Sequence, residues 1–194
     1  MFGKSFWQGV LRDGAVLGLV MAASHMFESF MLYGNMALGK VSLIITIEML
    51  AAAIFFVWYL YRSAKRRSME MAPELGFPYS VALSYIFILS ILAGVLVGLS
   101  QIIYVGAIGG YGVYIEGIIS RYEDMASLMP VDDSMFDQLI DQLSASEKPT
   151  VIQTIISSVN NYIIFGCIIG LIVAGVVRRE PQKTPLKSKL WSRI

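Results

Sequence analysis

Four long apolar runs decide what this chain can fold into. A helix needs about 20 predominantly apolar residues to cross a hydrocarbon core of about 30 Å. Four stretches of the sequence meet that length, at about residues 14–33, 41–61, 81–106 and 155–177. Each run is predicted to be helical, because backbone polar groups in lipid must be paired within their own segment. The predicted fold is therefore an all-α integral membrane protein, a single membrane domain over residues 1–194 with four transmembrane helices.

Basic residues are concentrated on one side of the predicted bundle. Twelve of the 15 Lys and Arg residues fall before the first run, between the second and third runs, or after the fourth. The positive-inside rule assigns these segments to the cytoplasm. Both termini are therefore predicted to be cytoplasmic, and residues 178–194 to form a basic cytoplasmic tail.

The connection between the third and fourth runs, residues 107–154, has the opposite charge. Eight acidic residues face only Arg121 and Lys148 there, a net charge of −6. Its apolar residues recur at helical spacing in two stripes, the second of which includes Phe136 and Leu139. We expect a small, helical, acidic extracytoplasmic segment with these stripes buried.

Both ends of the chain carry aromatic and aliphatic residues at helical spacing beside basic ones. Ahead of the first run the stripe includes Phe6, Trp7 and Val10, and near the other end it includes Leu190 and Trp191. Such patterns are typical of helices that lie on an anionic leaflet, and the alternative is a solvated tail.

Three of the four runs contain a Gly-x-x-x-Gly motif. Small residues let helix backbones approach closely in lipid, where no hydrophobic force drives helices together. We expect packing within one four-helix bundle, and a homodimer interface is the alternative. The glycines concerned are Gly14, Gly18, Gly94, Gly98, Gly166 and Gly170.

Each predicted helix also places a polar side chain within about 12 Å of its extracytoplasmic end. Polar groups at membrane depth are costly and are functional candidates by default. One interpretation is a buried polar layer that fixes helix register, and the second is an outward-open pocket for a proton, an ion or a lipid headgroup. Metal binding by His25, Glu28 and Glu48 is the least favoured interpretation, since the chain has a single histidine. The candidates are His25, Glu28, Glu48, Gln101, Asn160 and Asn161.

The other half of the bundle is expected to contain only small hydroxyls, such as those of Ser84 and Ser90. The single cysteine, Cys167, excludes a disulfide within the chain. The glycine-rich run GAIGGYG lacks the Lys-Ser/Thr of a P-loop, and no activated nucleophile is evident. We therefore expect no catalytic residue, cofactor, metal or nucleic-acid partner.

Three segments carry a family resemblance. They are FWQGVLRDGAVLGLV in the first helix, GFPYSVALSYIFILSILAGVL leading into the third, and YIIFGCIIGLIVAGVVRRE at the fourth. Together with the basic second connection and the acidic third one, they resemble the Bacteroidota membrane proteins grouped as domain of unknown function 4199. The resemblance covers about residues 6–180. It implies a multi-pass protein of the bacterial inner membrane but no established activity, so it assigns no functional residue.

Three functions are compatible with these features. The first is a non-catalytic accessory or interaction protein, in contact with the lipid bilayer and with a membrane-protein partner or a second copy of itself. The alternative is a small carrier or permease, proton-coupled or lipid-handling, that uses the polar layer. A membrane enzyme acting on a lipid-linked substrate is the least favoured.

Overall fold

A computed structural model of the chain describes residues 4–33, 38–128, 133–145 and 147–182. Within these ranges the chain is helical and contains no extended strand. A π-helical turn, Tyr104–Ile108, continues the third helix. The helices are α1 (Lys4–Tyr33), α2 (Leu38–Glu70), α3 (Tyr79–Ile103), α4 (Tyr111–Leu128), α5 (Asp133–Ser144) and α6 (Val151–Val177). Among the described residues, four helices are long and apolar enough to cross a membrane: α1, α2, α3 with the π-helical turn, and α6. This confirms the prediction of an all-helical fold with four helices of membrane-spanning length.

Helices α1 and α2 extend beyond the apolar runs from which they were predicted. Helix α1 begins at Lys4, ten residues before its predicted start, and α2 continues to Glu70 through a basic segment expected to be a loop. Hydropathy marks only the part of a helix that contacts lipid, whereas backbone hydrogen bonding continues through amphipathic flanks. Phe6 and Val10 are 3% and 0% exposed. Phe6 and Val10 of the N-terminal stripe therefore pack inside the bundle, whereas Trp7 of the same stripe is 46% exposed. The C-terminal stripe lies outside the described residues.

Helix α3 is the centre of the bundle, with its most extensive contacts to α1 and α6. Helix α2 contacts α1 and α6 more sparingly. A side chain at Gly94 would place its Cβ 2.7 Å from the Cα atom of Val159, and one at Gly98 would lie 2.9 Å from that of Ile155. Only glycine permits α3 and α6 to approach this closely.

The other four glycines of the Gly-x-x-x-Gly motifs also lie at contacts between helices of the chain. Gly14 and Gly18 of α1 face Leu92 and Leu96 of α3. Gly166 and Gly170 of α6 face Ser90 and Ile86 on α3.

One end of the bundle, which we call the basic end, is closed by backbone contacts. It comprises the start of α1, the end of α2, the start of α3 and the end of α6. Phe77 exchanges two backbone hydrogen bonds with Arg179, at 2.7 and 2.9 Å. The Arg179 guanidinium donates to the Met71 carbonyl at 2.5 Å, and Gly76 adopts a positive φ of 63° against the backbone that follows α6. The α2–α3 connection is thereby fixed to the segment after α6.

Helices α4 and α5 lie at the opposite, acidic end. Leu139 is 37% exposed. This member of the second apolar stripe in the connection 107–154 is therefore not buried, contrary to the prediction. The Phe136 side chain lies outside the described residues. Helix α6 begins with a capping box, in which Thr150 and Gln153 satisfy each other's backbone N–H groups. The start of α6 is therefore set by the Thr150 cap.

Candidate functional site

A cavity of about 270 Å³ lies between α1, α2 and α6, in the half of the bundle nearer the acidic end. Four of the six predicted polar residues line it: His25 and Glu28 from α1, Glu48 from α2 and Asn161 from α6. Three separate helices therefore bring polar groups to one volume. Apolar side chains form most of its wall.

Two polar contacts organise the cavity. The Nδ1 atom of His25 lies 3.4 Å from the Glu28 carboxylate, one helical turn along α1. The Ser24 hydroxyl donates a hydrogen bond to the Glu48 carboxylate and so joins α1 to α2. Ser24 was not among the predicted site residues, although it lies four residues before Glu28 and so shares the helix face of that carboxylate.

Aromatic rings form part of the cavity wall. Phe56 of α2 is 5% exposed and meets Tyr162 of α6 edge to face, with ring centroids 5.6 Å apart. Both rings line the cavity, as does Phe165 one turn further along α6. An aromatic lining with a few convergent polar groups is typical of a small-molecule binding site.

The cavity opens through the side of the bundle. Met49 and Val57 on α2, and Asn161 and Phe165 on α6, line it and are themselves exposed on the outer surface. All four lie in the interiors of membrane-length helices. The opening therefore lies on the side of the bundle, between two helices of membrane-spanning length.

Two of the predicted residues lie apart from this cavity. Gln101 lines a separate cleft of about 190 Å³ at the acidic end, together with Tyr111 and Lys148. Asn160 is exposed on α6 and is not among the residues lining either cavity. Helical geometry separates Asn160 from Asn161 by about 100°, and Asn161 is the one that lies on the side of α6 bordering the cavity.

No group of three metal-ligating side chains converges anywhere in the part of the chain that the structure describes. His25, Glu28 and Glu48 share the cavity wall without forming such a group.

A second polar cluster, which the sequence analysis missed, lies near the basic end. Asp13 of α1 is 2% exposed. Its carboxylate accepts hydrogen bonds from the Tyr85 hydroxyl at 2.5 Å, from Arg66 Nη2 at 2.5 Å and from Arg12 Nε at 3.1 Å. This network, centred on the buried Asp13 carboxylate, joins α1, α2 and α3. The expectation that this half of the bundle contains only small hydroxyls is therefore wrong.

The error has a physical origin. Asp13 immediately precedes the first apolar run, which begins at residue 14, and Arg66 follows the second, which ends at residue 61. Hydropathy therefore places both residues outside the membrane. The available signal was the apolar stripe that precedes Asp13, since a stripe at Phe6 and Val10 in phase with Leu17 indicates that the helix already exists there.

A comparison with protein families gave one match over most of the chain. The family model described as "Protein of unknown function (DUF4199)" matches residues 12–179. No curated protein and no solved structure matches the chain significantly.

Proposed function

Because the chain belongs to the family described as "Protein of unknown function (DUF4199)", its activity has to be inferred from its own residues. We propose that it is a small, non-catalytic, lipid-handling protein of the bacterial inner membrane. In this proposal the cavity between α1, α2 and α6 binds the polar end of a membrane-soluble molecule. This is the carrier alternative of the sequence analysis, restricted to ligands that reach the site from lipid.

The observation that carries the proposal is the lateral opening. A ligand that enters between α2 and α6 comes from the bilayer, so at least part of it must be soluble in hydrocarbon. Glu28 and Glu48 lie inside, where a charged group in low dielectric is costly unless it meets a partner. A polar ligand head supplies that partner, while the apolar wall accommodates the beginning of a chain.

The orientation is part of the proposal. Arg62, Lys65, Arg66 and Arg67 occupy the end of α2, and Arg178 and Arg179 follow α6 at the same end of the bundle. The positive-inside rule favours a cytoplasmic basic end, with both termini inside and α4 and α5 outside. The cavity would then lie in the outer-leaflet half of the membrane.

A pair of alanines allows a matched test. Ala52 and Ala51 are neighbours on α2, but Ala52 lines the cavity whereas Ala51 is exposed and does not. Ala52→Trp should fill the cavity, and Ala51→Trp adds the same indole to the outer surface of the same helix. We expect native mass spectrometry of protein extracted in mild detergent to detect a retained small molecule with wild type and Ala51→Trp but not with Ala52→Trp. Equal retention by the two variants would refute the proposal.

The accessory function remains a second candidate because α2 is the least buried of the four spans. Its outer face is apolar and aromatic, with Ile54 and Trp58 exposed by 68% and 48%. A partner helix or a second copy would cover this face in the same way as lipid does. Recovery of a stoichiometric membrane protein in mild detergent, lost in an Ile54→Ala, Trp58→Ala variant, would favour this candidate.

A further inference from the structure

The charges around the cavity indicate which class of molecule it accepts. Glu28 and Glu48 approach it from different helices. None of the described residues that line it is a lysine or an arginine. An anionic headgroup would therefore meet two carboxylates with no fixed positive charge beside it, and like charges repel strongly in low dielectric.

The two carboxylates are not equally satisfied. His25 lies beside Glu28 and is its ion-pair partner when protonated. Glu48 accepts a hydrogen bond from the neutral Ser24 hydroxyl, and among the described residues it has no ion-pair partner. The missing element around Glu48 is a positive charge.

The aromatic part of the cavity wall also suits a cation. Phe56, Tyr162 and Phe165 line the cavity, and the faces of aromatic rings attract ammonium groups, most strongly where water is excluded. Ammonium ligands are commonly held by combinations of rings and carboxylates, because the rings replace water around the alkyl groups of the cation.

Size and access complete the description. A volume of about 270 Å³ lies near the lower end of the range of small-molecule sites, about 300–1,000 Å³. It suits a headgroup and the first few methylenes rather than a whole lipid. The rest of the molecule would leave through the opening between α2 and α6 and remain in the bilayer.

We propose that the cavity binds the ammonium head of an amphipathic amine, with Glu48 as the principal counter-ion and the three rings around the alkyl groups. This inference rests on the proposed function, because it assumes that the cavity binds a molecule from the membrane. It adds the charge class of that molecule.

The test is equilibrium binding of radiolabelled dodecyltrimethylammonium to the full chain in dodecyl maltoside, by scintillation proximity at a fixed micelle concentration. Glu48→Gln keeps the shape of the side chain and removes its charge. The quaternary ammonium of the probe donates no hydrogen bond, so its contact with Glu48 is Coulombic. Removing one charge of such a pair in low dielectric weakens binding by roughly a factor of ten or more. We therefore expect Glu48→Gln to raise Kd at least about tenfold.

Two further variants separate a local effect from a general one. Glu28→Gln should weaken binding in the same direction and provides a second reading if Glu48→Gln folds poorly. Glu116→Gln removes a carboxylate from the exposed surface of α4 and should leave Kd unchanged. Unchanged Kd in both cavity variants, or an equal loss in Glu116→Gln, would overturn the assignment of the cation to these carboxylates.

Competition identifies the ligand class. We expect unlabelled dodecylamine to displace the probe, and dodecyl sulfate, with the same chain and opposite charge, to displace it at least about tenfold less well. Tetramethylammonium has the same head without a chain, and equal displacement by it would overturn the amphipathic part of the proposal in favour of a water-soluble cation.

The two proposals fail in different ways. If Ala52→Trp abolishes binding but dodecyl sulfate competes as well as dodecylamine, the cavity binds lipid-like molecules and only the charge class is wrong. If Ala52→Trp and Ala51→Trp bind the probe equally, the ligand does not occupy the cavity and both proposals are wrong.

Discussion

The Tyr85 hydroxyl gives the sharpest test of the buried network near the basic end. Tyr85→Phe removes one oxygen atom and keeps the ring, which meets Phe6 at a centroid distance of 5.8 Å. The variant loses the 2.5 Å hydrogen bond to the Asp13 carboxylate. Hydrogen bonds to charged groups contribute about 1.5–3 kcal/mol to stability. Because Asp13 keeps Arg66 and Arg12 as donors, we expect a loss in the lower half of that range, about 1.5–2 kcal/mol.

The same atom can be removed elsewhere on α3 as a control. Tyr79 is 36% exposed, and its hydroxyl lies 3.4 Å from the Leu171 carbonyl, a long contact to a neutral acceptor. Substitutions of this kind at exposed positions typically change stability by less than about 0.5 kcal/mol, so Tyr79→Phe should resemble wild type.

The assay is reversible unfolding by dodecyl sulfate in mixed micelles with dodecyl maltoside, followed by tryptophan fluorescence. Tyr85→Phe should unfold at a lower mole fraction of dodecyl sulfate than wild type and Tyr79→Phe. If Tyr85→Phe has the midpoint of wild type, or if Tyr79→Phe loses as much stability, the buried network does not hold α1 against α3 as argued.

Three other predictions follow from the topology and the close backbone contacts. A reporter fused after Arg67 should be cytoplasmic, and a reporter inserted at Asp133 should be extracytoplasmic. A cytoplasmic reporter at Asp133 would contradict the proposed orientation. Gly94→Val should destabilise the bundle by about 1–3 kcal/mol, because its Cβ would lie 2.7 Å from a backbone atom of α6, whereas Gly175→Val, with open space around it, should retain the wild-type unfolding midpoint. Gly76→Ala should cost more than about 1 kcal/mol, since it combines a positive φ with a backbone atom 2.6 Å from the new Cβ; limited proteolysis of the α2–α3 connection as slow as in wild type would contradict this.

The sequence alone determined the membrane class and the number of spans. Each of those properties depends on local composition, because the cost of exposing polar backbone to lipid is set within a single segment. The helix bounds could not be predicted as well. Helix α1 begins at Lys4 and α2 ends at Glu70, and both flanks are too polar for a hydropathy window to include.

The candidate cavity was predictable in part. The depth of His25, Glu28 and Glu48 follows from the rise per residue along a helix, so their common layer could be stated before the structure was known. Depth does not specify which way a side chain faces. The rotation of α6 places Asn161 in the cavity lining and leaves Asn160 outside it. Gln101 lines a different cleft, between the end of α3, the start of α4 and the start of α6.

Tertiary structure alone decided the rest. Nothing in the local sequence pairs Asp13 with Tyr85, 72 positions away, or places the opening of the cavity between α2 and α6. Both depend on how closely the helices approach and at what rotation, which the glycines permit but do not specify. The physical reason is that membrane partitioning is a sum over single residues, whereas a site is made by contacts between helices distant in sequence, whose geometry is fixed only when all four pack together.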